Sequence, residues 1–414
     1  MRTLSFALPE RKVAPGAGRL LASNSASAIG SGMTSPLLVV YLHTVRHLPL
    51  TLAASISAVG ALVSLAGNPV GGYLADHIGA RTTSFIGLAM AAAGTGSLAA
   101  AHTSPQAIAC IALLGLGISV SLPAQQALLA HVVPAQALSR YFALTYMLLN
   151  IGFGVGGLSA ALIAGTGHLG AFQTLYLLDA ASFTLAALLI ARVPVAGRTA
   201  QERPPTAWRA LRLVTGDQPM RRIWLIALLL TTAGFTQLHT GFPAYAVSYT
   251  DASPRIISLA YLANTLTVVL VQLPLQRAIA RRSPATVLIL LCPCIAVPVL
   301  LVYLSAHTAA VGAALFICAA ALLAVGEALY AASIPALVNT NAPPHLRGQY
   351  NAALMLAFTT ANLLGPALSG FLLSHDHPTL WLMTFVIAAI AAIPLARSKP
   401  IMSIPPPASA SSTP

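Results

Sequence analysis

Residues 72–81 read Gly72-Tyr-Leu-Ala-Asp76-His-Ile-Gly79-Ala-Arg81, and they separate two long apolar runs. An apolar run of about twenty residues crosses a bilayer as a helix, so we expect Asp76 to lie where the first of these helices leaves the hydrocarbon. Gly79 accepts the backbone conformations of a tight reversal at little steric cost. The stretch therefore predicts a polar turn between two membrane-spanning helices.

The composition of the whole chain is that of a membrane protein. Of its 414 residues, 57% are hydrophobic and 7% are charged, whereas an ordinary soluble protein has about 25% charged residues. The net charge of +13 would suit a nucleic-acid partner, but the basic residues are scattered singly between apolar runs and form no stripe with aromatic side chains. We therefore expect the chain to be surrounded by a lipid bilayer and to bind no nucleic acid.

Twelve apolar stretches are long enough to cross a hydrocarbon core of about 30 Å as helices. They lie near residues 19–42, 51–73, 83–101, 106–130, 141–165, 171–193, 222–247, 255–276, 284–306, 309–335, 350–373 and 379–397. Twelve spans place both termini on one side of the membrane, and all Lys and Arg residues except Arg46 and Arg255 fall on that side. By the positive-inside rule, both termini are predicted to be cytoplasmic in a multi-pass protein of the cell membrane.

The longest polar interval divides the stretches into two sets of six. The predicted regions are a bundle over 1–193, a cytoplasmic linker over 194–221 with a short amphipathic helix near 208–214, a second bundle over 222–400, and a disordered tail over 401–414. The two sets of spans show a weak sequence repeat, because Pro69 in span two and Pro274 in span eight occupy matching positions. The predicted fold class is an all-α membrane protein with twelve transmembrane helices in two pseudo-symmetric six-helix bundles.

The turn at residues 72–81 also resembles a known signature. Its matching residues are Gly72, Asp76, Gly79 and Arg81. They resemble the loop between the second and third spans of major facilitator superfamily transporters, although His77 stands where that family usually has arginine. The resemblance implies that two bundles rock about a midplane site. It also implies that Asp76 stabilises the closed cytoplasmic side, by pairing with Arg81 or Arg140 and by facing the N-terminal end of span eleven.

Two further residue pairs resemble pairs that recur in multidrug-exporter-like members of the same superfamily. They are Gly326-Glu327 in span ten and Arg347-Gly348 before span eleven. The resemblance implies export and adds Arg347 to the conformational gating loop.

Span five is similar to the glycine-rich antiporter signature of exporters. Its glycines are Gly152, Gly154, Gly156 and Gly157. The Gly-Pro pair usual in that signature is absent from span five and occurs in span eleven as Gly365-Pro366. Such residues let helices approach closely and bend, so we expect them to allow rocking between states. The alternative is simple packing of small residues.

Two carboxylates lie inside apolar spans, Asp179 in span six and Glu327 in span ten. A charge at such a position costs about 2.5–3.5 kcal/mol on insertion scales, so the group faces a cavity, finds a partner or takes up a proton. Both residues are candidates for proton coupling or substrate binding. The alternative for each is a structural polar contact between helices.

Four further polar side chains extend the candidate set for proton coupling or substrate binding, and among them the imidazole of His239 can titrate near neutral pH. They are Gln237 and His239 in span seven, Asn264 in span eight and Asn362 in span eleven. Polar groups in lipid must be satisfied by protein or by water in a cavity. We therefore expect them to face the interior, the alternative being hydrogen bonds between helices.

The chain shows no catalytic constellation, phosphate-binding loop or metal-ligand spacing. We therefore expect neither an enzyme nor an ATP-driven pump, and no cofactor or metal. The expected function is export of a small, mostly hydrophobic drug or metabolite by proton antiport, carried out by a monomer. Two alternatives stay open: uptake or uniport of a metabolite such as a sugar or amino acid, and a membrane sensor that transports nothing.

Overall fold

The structure is a computed structural model that describes residues 15–164, 169–194, 207–250, 254–279, 282–308 and 311–397. The predicted tail over 401–414 and the part of the predicted linker over 195–206 lie outside the described residues. Within the described ranges the chain is helical and contains no strand. The prediction of an all-α protein is confirmed.

The N-terminal half consists mainly of long apolar helices. They are α1 (Pro15–Thr34), the single turn α2 (Leu38–Val40), α3 (Leu50–Leu74), α4 (Ala80–Ala99), α5 (Ser104–Val132), α6 (Leu138–Ala164) and α7 (Leu169–Ala191). On α7, Ala186 and Ile190 are fully buried, whereas Leu185 and Leu188 are exposed although they are equally apolar. A helix with apolar residues on all sides packs one face inside the protein and turns the other to lipid. It also satisfies its backbone polar groups internally, as a membrane requires.

The second part of the described chain begins with a short helix of ten residues. Its helices are α8 (Ala207–Gly216), α9 (Gln218–Leu230), α10 (Thr236–His239), α11 (Gly241–Tyr249), α12 (Pro254–Ile279), α13 (Pro284–Ser305), α14 (Gly312–Asn341), α15 (Arg347–Ser374) and α16 (Pro378–Arg397). The helix α8 covers residues 208–214, so the short linker helix expected there is confirmed.

The seventh predicted span is not one continuous helix. Residues 218–249 form α9, a wide turn over Thr231–Phe235, α10 and α11. A proline ring clashes with the carbonyl of the residue four positions earlier and its nitrogen donates no hydrogen bond. Pro243 is placed to break the helix at His239, and the chain indeed leaves helical geometry at Thr240.

Ten helical segments of the described residues are long and apolar enough to cross a membrane. Two features bring this number below twelve. The second and third predicted spans are joined without a gap by the helical turn Ala75–Gly79 and are counted as one segment, Ala58–Ala99, and the seventh is broken as described above. The count of twelve spans stays a prediction.

One end of the helices is called here the linker face. It carries the start of α1 and the turns Ala75–Gly79, Ala135–Ala137 and Pro344–Leu346. The first of these turns is a single wide helical turn, and Gly79 in it has a φ of 98°. Residues with side chains rarely adopt that conformation, which confirms the reversal expected at Gly79.

The buried apolar side chains form separate clusters in the two halves. The largest lies in the C-terminal half around Trp381 and Phe385, and Ala143 is its member from the N-terminal half. Two further clusters lie in the N-terminal half, one around Leu128 and one around Tyr41. The boundaries of the two predicted bundles stay a prediction, but each half has a core of its own.

The prolines that suggested an internal repeat occupy equivalent places in their helices. Pro69 lies five residues before the end of α3, and Pro274 lies five residues before the end of α12. A proline inside a transmembrane helix is tolerated because neighbouring groups satisfy the freed carbonyl.

Candidate functional site

Glu327 lies in the middle of α14, fourteen or fifteen residues from either end of the helix, which is about 21 Å along its axis. The side chain is 3% exposed. Its Oε2 accepts a hydrogen bond of 3.0 Å from the hydroxyl of Tyr146 on α6 and one of 3.4 Å from the amide of Asn264 on α12. Because Tyr146 belongs to the N-terminal half, the carboxylate connects the two halves at the middle of α14.

Aromatic rings lie beside this carboxylate. The ring of Phe235 makes edge-to-face contacts with Tyr146, Tyr330 and Phe358, at centroid distances of 6.4, 4.9 and 6.4 Å. The hydroxyl of Tyr330 accepts a hydrogen bond of 3.3 Å from Thr231 within the C-terminal half. The site thus combines one carboxylate with aromatic surfaces contributed by both halves, which suits the binding of a largely apolar molecule.

Asp179 on α7 forms a separate polar cluster inside the N-terminal half. It is 1% exposed. Its Oδ2 accepts hydrogen bonds from Thr34 at 2.6 Å and Thr95 at 3.3 Å, and its Oδ1 accepts one from Ser182 at 3.3 Å. These residues belong to α1, α4 and α7, so Asp179 holds three helices of one half together. This placement favours the structural alternative, and proton coupling by Asp179 stays a prediction.

Gln237 is fully buried in a hydrogen-bond network of the C-terminal half. Its amide nitrogen donates to the carbonyl of Thr232 at 2.9 Å, and its Oε1 accepts from the hydroxyl of Ser369 at 2.7 Å. The indole nitrogen of Trp381 donates in turn to Ser369 at 3.2 Å. The network joins α10, α15 and α16, which favours hydrogen bonding between helices over contact with a substrate.

The remaining polar candidates differ in their surroundings. His239 is exposed, and its ring stacks on Tyr261 with centroids 5.8 Å apart. Asn362 is also exposed, and its amide donates to a carbonyl of its own helix. Asn264 contacts Glu327 directly, so the fold brings together two candidates that lie 63 positions apart in the sequence.

At the linker face, Asp76 caps the N-terminus of α15. Its Oδ1 accepts a hydrogen bond of 2.7 Å from the N–H of Gly348, and its Oδ2 accepts one of 2.9 Å from the N–H of Gln349. The first N–H groups of a helix lack partners within it and carry partial positive charge, so a carboxylate is stabilised there. The expectation that Asp76 faces the N-terminal end of span eleven is confirmed.

Two further contacts join the halves in this region. One is a hydrogen bond from a side chain of the C-terminal half to a carbonyl of the N-terminal half, and the other is a close approach of α3 to α15. The guanidinium Nη1 of Arg347 donates a hydrogen bond of 2.8 Å to the carbonyl of Ala130, near the end of α5. A Cβ added at Gly72 would lie 2.5 Å from the Cβ of Ala352 and 2.6 Å from the carbonyl oxygen of Gly348. A side chain at position 72 would therefore separate α3 from α15, which explains the need for glycine there.

The other two arginines of the predicted gating loop lie in the N-terminal half. Arg81 donates a hydrogen bond of 3.2 Å to the carbonyl of Val193, just after α7. Arg140 is exposed near the start of α6. Pairing of either arginine with Asp76 stays a prediction.

Two of the four glycines of α6 pack against α1. A Cβ at Gly152 would lie 2.6 Å from a side chain of α1, and one at Gly156 would lie 2.9 Å from the Cα of Gly32. By contrast, Gly154 has nothing within 4 Å, and Gly157 has only one backbone oxygen, at 4.0 Å. Gly152 and Gly156 are four residues apart and lie on one helix face, so they set the distance between α1 and α6.

The Gly-Pro pair of α15 lies opposite α10. A Cβ added at Gly365 would meet the side chain of Thr236, so this glycine also permits a close approach of two helices. Pro366 lies inside α15, and the helix continues past it to Ser374.

We expect Gly156→Ala to destabilise the protein and Gly154→Ala to leave its stability unchanged or slightly raised, because alanine is the better helix former. The added methyl group at position 156 meets backbone atoms of α1, and overfilling a packed interface costs about 1–3 kcal/mol. At position 154 the same methyl group enters open space. Thermal unfolding in detergent should show a lower midpoint for Gly156→Ala alone. Equal midpoints for the two variants would contradict the packing role assigned to Gly156.

Sequence patterns did not point to Tyr146, which joins Glu327 to the other half. A signal was available, because Tyr146 and Asn150 lie one helical turn apart in an otherwise apolar run. Asp217, which lies in the predicted linker over 194–221, likewise has an unforeseen partner. It accepts a hydrogen bond of 2.5 Å from the hydroxyl of Tyr350, so the end of the linker is bonded to α15.

Comparison with protein families and with known protein sequences gives matches that agree on one family. The family model described as Major Facilitator Superfamily matches residues 20–321 and 242–413. An uncharacterized MFS-type transporter of Bacillus subtilis, YttB, is 25% identical over 355 residues, which are 84% of this chain and 85% of the relative. The quinolone resistance protein NorA of Staphylococcus aureus is 25% identical over 234 residues, which are 56% of this chain and 58% of NorA.

Solved structures with the same fold include transporters of several kinds. The human organic anion transporter MFSD10 has a TM-score of 0.71 at 16% identity, covering 92% of this chain and 99% of its own. A bacterial homologue of the iron transporter ferroportin, in an outward-facing state, has a TM-score of 0.74 at 14% identity, covering 92% and 98%. The proton:xylose symporter XylE has a TM-score of 0.73 at 15% identity, covering 91% and 94%. At these identities the likeness concerns the fold.

Proposed function

The chain belongs to the Major Facilitator Superfamily, and on that basis we propose that it exports a small, mostly hydrophobic compound in exchange for protons. That it is a multi-pass membrane transporter follows from the family itself and from MFS-type relatives along most of the chain. The direction of transport, the class of cargo and the use of protons are the proposed part.

The observation that carries the proposal is the place of Glu327 between the halves. It is a buried carboxylate in a membrane-spanning helix, and its Oε2 accepts a hydrogen bond from the opposite half. A hydrogen bond to an ionised carboxylate is roughly twice as strong as one to a neutral acceptor. Proton binding at Glu327 would therefore weaken a contact that holds the halves in this arrangement.

Cargo is exchanged for protons if the proton and the cargo can each break the hydrogen bond between Tyr146 and Glu327. A cargo molecule that packs against the rings of Phe235 and Phe358 would push Tyr146 away from Glu327 by occupying space. A proton would weaken the same hydrogen bond by removing the charge. Only a carrier loaded with one or the other would then pass between arrangements, which is the condition for antiport.

The contacts at the linker face support an arrangement that is shut on that side. Asp76 bonds to the start of α15, and Arg347 bonds to the end of α5. Deeper between the same halves, Asn68 on α3 donates to Thr359 on α15 at 3.0 Å. With the termini placed in the cytoplasm, as the arginine distribution predicts, this is the arrangement shut towards the cell interior. The gating residues proposed for it are Gly72, Asp76, Gly79, Arg81, Arg140 and Arg347.

The driving force of such a cycle is sufficient for drug export. A proton moving inward releases about 2.3 kcal/mol per 100 mV, which can concentrate a cargo outward about fiftyfold. The likeness to NorA, named a quinolone resistance protein, supports outward transport of a drug-like cargo. The aromatic surfaces beside Glu327 support a cargo that is mostly apolar. We further propose that the protein acts as a monomer in the cell membrane, without a cofactor.

The test is transport by the purified protein in proteoliposomes. We expect several lipophilic dyes and antibiotics to move against their gradients when an opposing proton gradient is imposed, and the movement to stop when an uncoupler collapses that gradient. Liposomes without protein are the control. If a sugar or amino acid accumulates together with protons while no lipophilic compound is transported, the export proposal is wrong and uptake takes its place.

A further inference from the structure

Glu327 has two hydrogen-bond donors among the described residues, and they belong to different halves. Asn264 lies in the same half as Glu327, and its amide also donates to the carbonyl of Ala320 on α14 at 3.2 Å. Asn264 therefore remains attached to α14 when the halves move. The hydroxyl of Tyr146 lies on the other half at 3.0 Å, so a rearrangement of the halves removes this donor alone.

The position of Tyr146 is set by its own half and by an aromatic contact. Its backbone carbonyl accepts a hydrogen bond of 3.0 Å from the amide of Asn150 within α6, and its ring meets Phe235 edge to face. The contact with Phe235 orients the ring, while the hydroxyl donates a hydrogen bond to Glu327 on the other half. The hydroxyl thus contributes to the contact between the halves rather than to the packing of α6.

We propose that Tyr146 is the positioning residue through which the N-terminal half responds to the proton on Glu327. The inference rests on the proposed function, since it assigns a partner to the proton site named there. When Glu327 is ionised, the Tyr146 hydroxyl donates a charge-assisted hydrogen bond and the halves are held as observed. When Glu327 carries a proton, that bond loses its charge assistance and the halves are released. Tyr146 thereby keeps an unloaded carrier from changing arrangement and dissipating the proton gradient.

The other ionisable groups near Glu327 are uncharged near neutral pH in their ordinary state. They are Tyr146 on α6, Tyr330 on α14 and Cys294 on α13, whose Cβ would lie 3.2 Å from a Cβ added at Gly326. The turn Thr231–Phe235, α12 and α15 contribute the uncharged Thr231, Asn264 and Phe358 near the site. Among these contacts, Glu327 is therefore the group that is ordinarily charged near neutral pH.

Tyr146→Phe tests the proposal because it keeps the ring and removes the hydroxyl. The readout is the ratio between protein that is open and protein that is shut at the linker face, in the absence of cargo. It is measured from distances between spin labels on opposite halves at that face. At a pH where Glu327 is ionised, we expect the population open at the linker face to rise about tenfold in Tyr146→Phe, which corresponds to about 1.4 kcal/mol. At a pH where Glu327 is protonated, parent and variant should differ much less, since the bond lost is weak.

Two comparisons separate this role from a general packing effect. Tyr330→Phe removes a hydroxyl from the same aromatic group whose partner, Thr231, lies in its own half, so the ratio of arrangements should stay as in the parent. In a Glu327→Gln background, Tyr146→Phe should change the ratio less than twofold. An equal effect of Tyr146→Phe in both backgrounds, or at both pH values, would overturn the proposal. Because no cargo is used, a failure of the export proposal does not alter this result.

Discussion

Replacing Glu327 with glutamine is expected to abolish proton-driven export while the protein stays folded and inserted. Glutamine has nearly the same size and keeps an oxygen that can accept the hydrogen bond from Tyr146, but it cannot bind and release a proton. The buried side chain is 3% exposed, and a neutral amide costs less to bury than a carboxylate. Transport in proteoliposomes should therefore lose its response to an imposed proton gradient, while the unfolding midpoint stays unchanged or rises.

Asp179→Asn is the matched comparison, since it makes the same acid-to-amide change in the other buried cluster. Asp179 contacts hydroxyl groups of its own half only among its described hydrogen bonds. We expect this variant to keep its response to the gradient and to lose about 1–3 kcal/mol of stability, because a hydroxyl donor loses its acceptor. Normal gradient-driven export by Glu327→Gln would remove Glu327 from the mechanism. Loss of coupling in Asp179→Asn alone would move the proton site to the N-terminal half.

Replacing Asp76 with asparagine is expected to shift the protein away from the arrangement that is shut at the linker face. Asp76 accepts hydrogen bonds from two backbone N–H groups of α15. Asparagine keeps one acceptor and presents an N–H₂ group to the other donor, so one of the two bonds is lost. A hydrogen bond to a charged group contributes about 1.5–3 kcal/mol, which corresponds to a shift of about ten- to a hundredfold between arrangements. Turnover should fall, because the cycle needs both arrangements to be populated.

Accessibility of single cysteines from each side of the membrane measures that shift. Cysteines near Gly348 should be labelled faster from the linker side in Asp76→Asn than in its parent. Asp217→Asn is the control at the same face, because Asp217 and its partner Tyr350 lie on the same side of the contact between the halves. Unchanged labelling together with unchanged transport in Asp76→Asn would make Asp76 merely a polar helix end.

Part of the site was accessible from sequence because it depends on single residues in an apolar run. Glu327 was identified because a carboxylate in lipid needs a special environment, whatever surrounds it. Gly79 was identified because its backbone conformation is local, and the positive φ agrees. Asp76 and the start of span eleven could be connected only because the family resemblance supplied the contact.

The glycines of α6 show where local reasoning ends. The same argument from glycine content applies to all four, yet a side chain at Gly152 or Gly156 would collide with α1, whereas one at Gly154 or Gly157 would not. Which side of α6 faces α1 depends on how the helices pack, since apolar residues cover the lipid side and the packed side alike. The same ambiguity left Gln237 and Asn362 as equal candidates, although one is fully buried and the other exposed.

The sequence alone determined that this is a helical membrane protein with a polar turn at Gly79, a short linker helix and two carboxylates within apolar spans. These features follow from length, hydrophobicity and the conformational range of single residues. The tertiary structure decided that Tyr146 bonds to Glu327 across 181 positions of sequence and that Asp76 bonds to Gly348 across 272. Such contacts depend on how the two halves pack, and in lipid that packing is set by surface shape and hydrogen bonds instead of hydrophobic patterning.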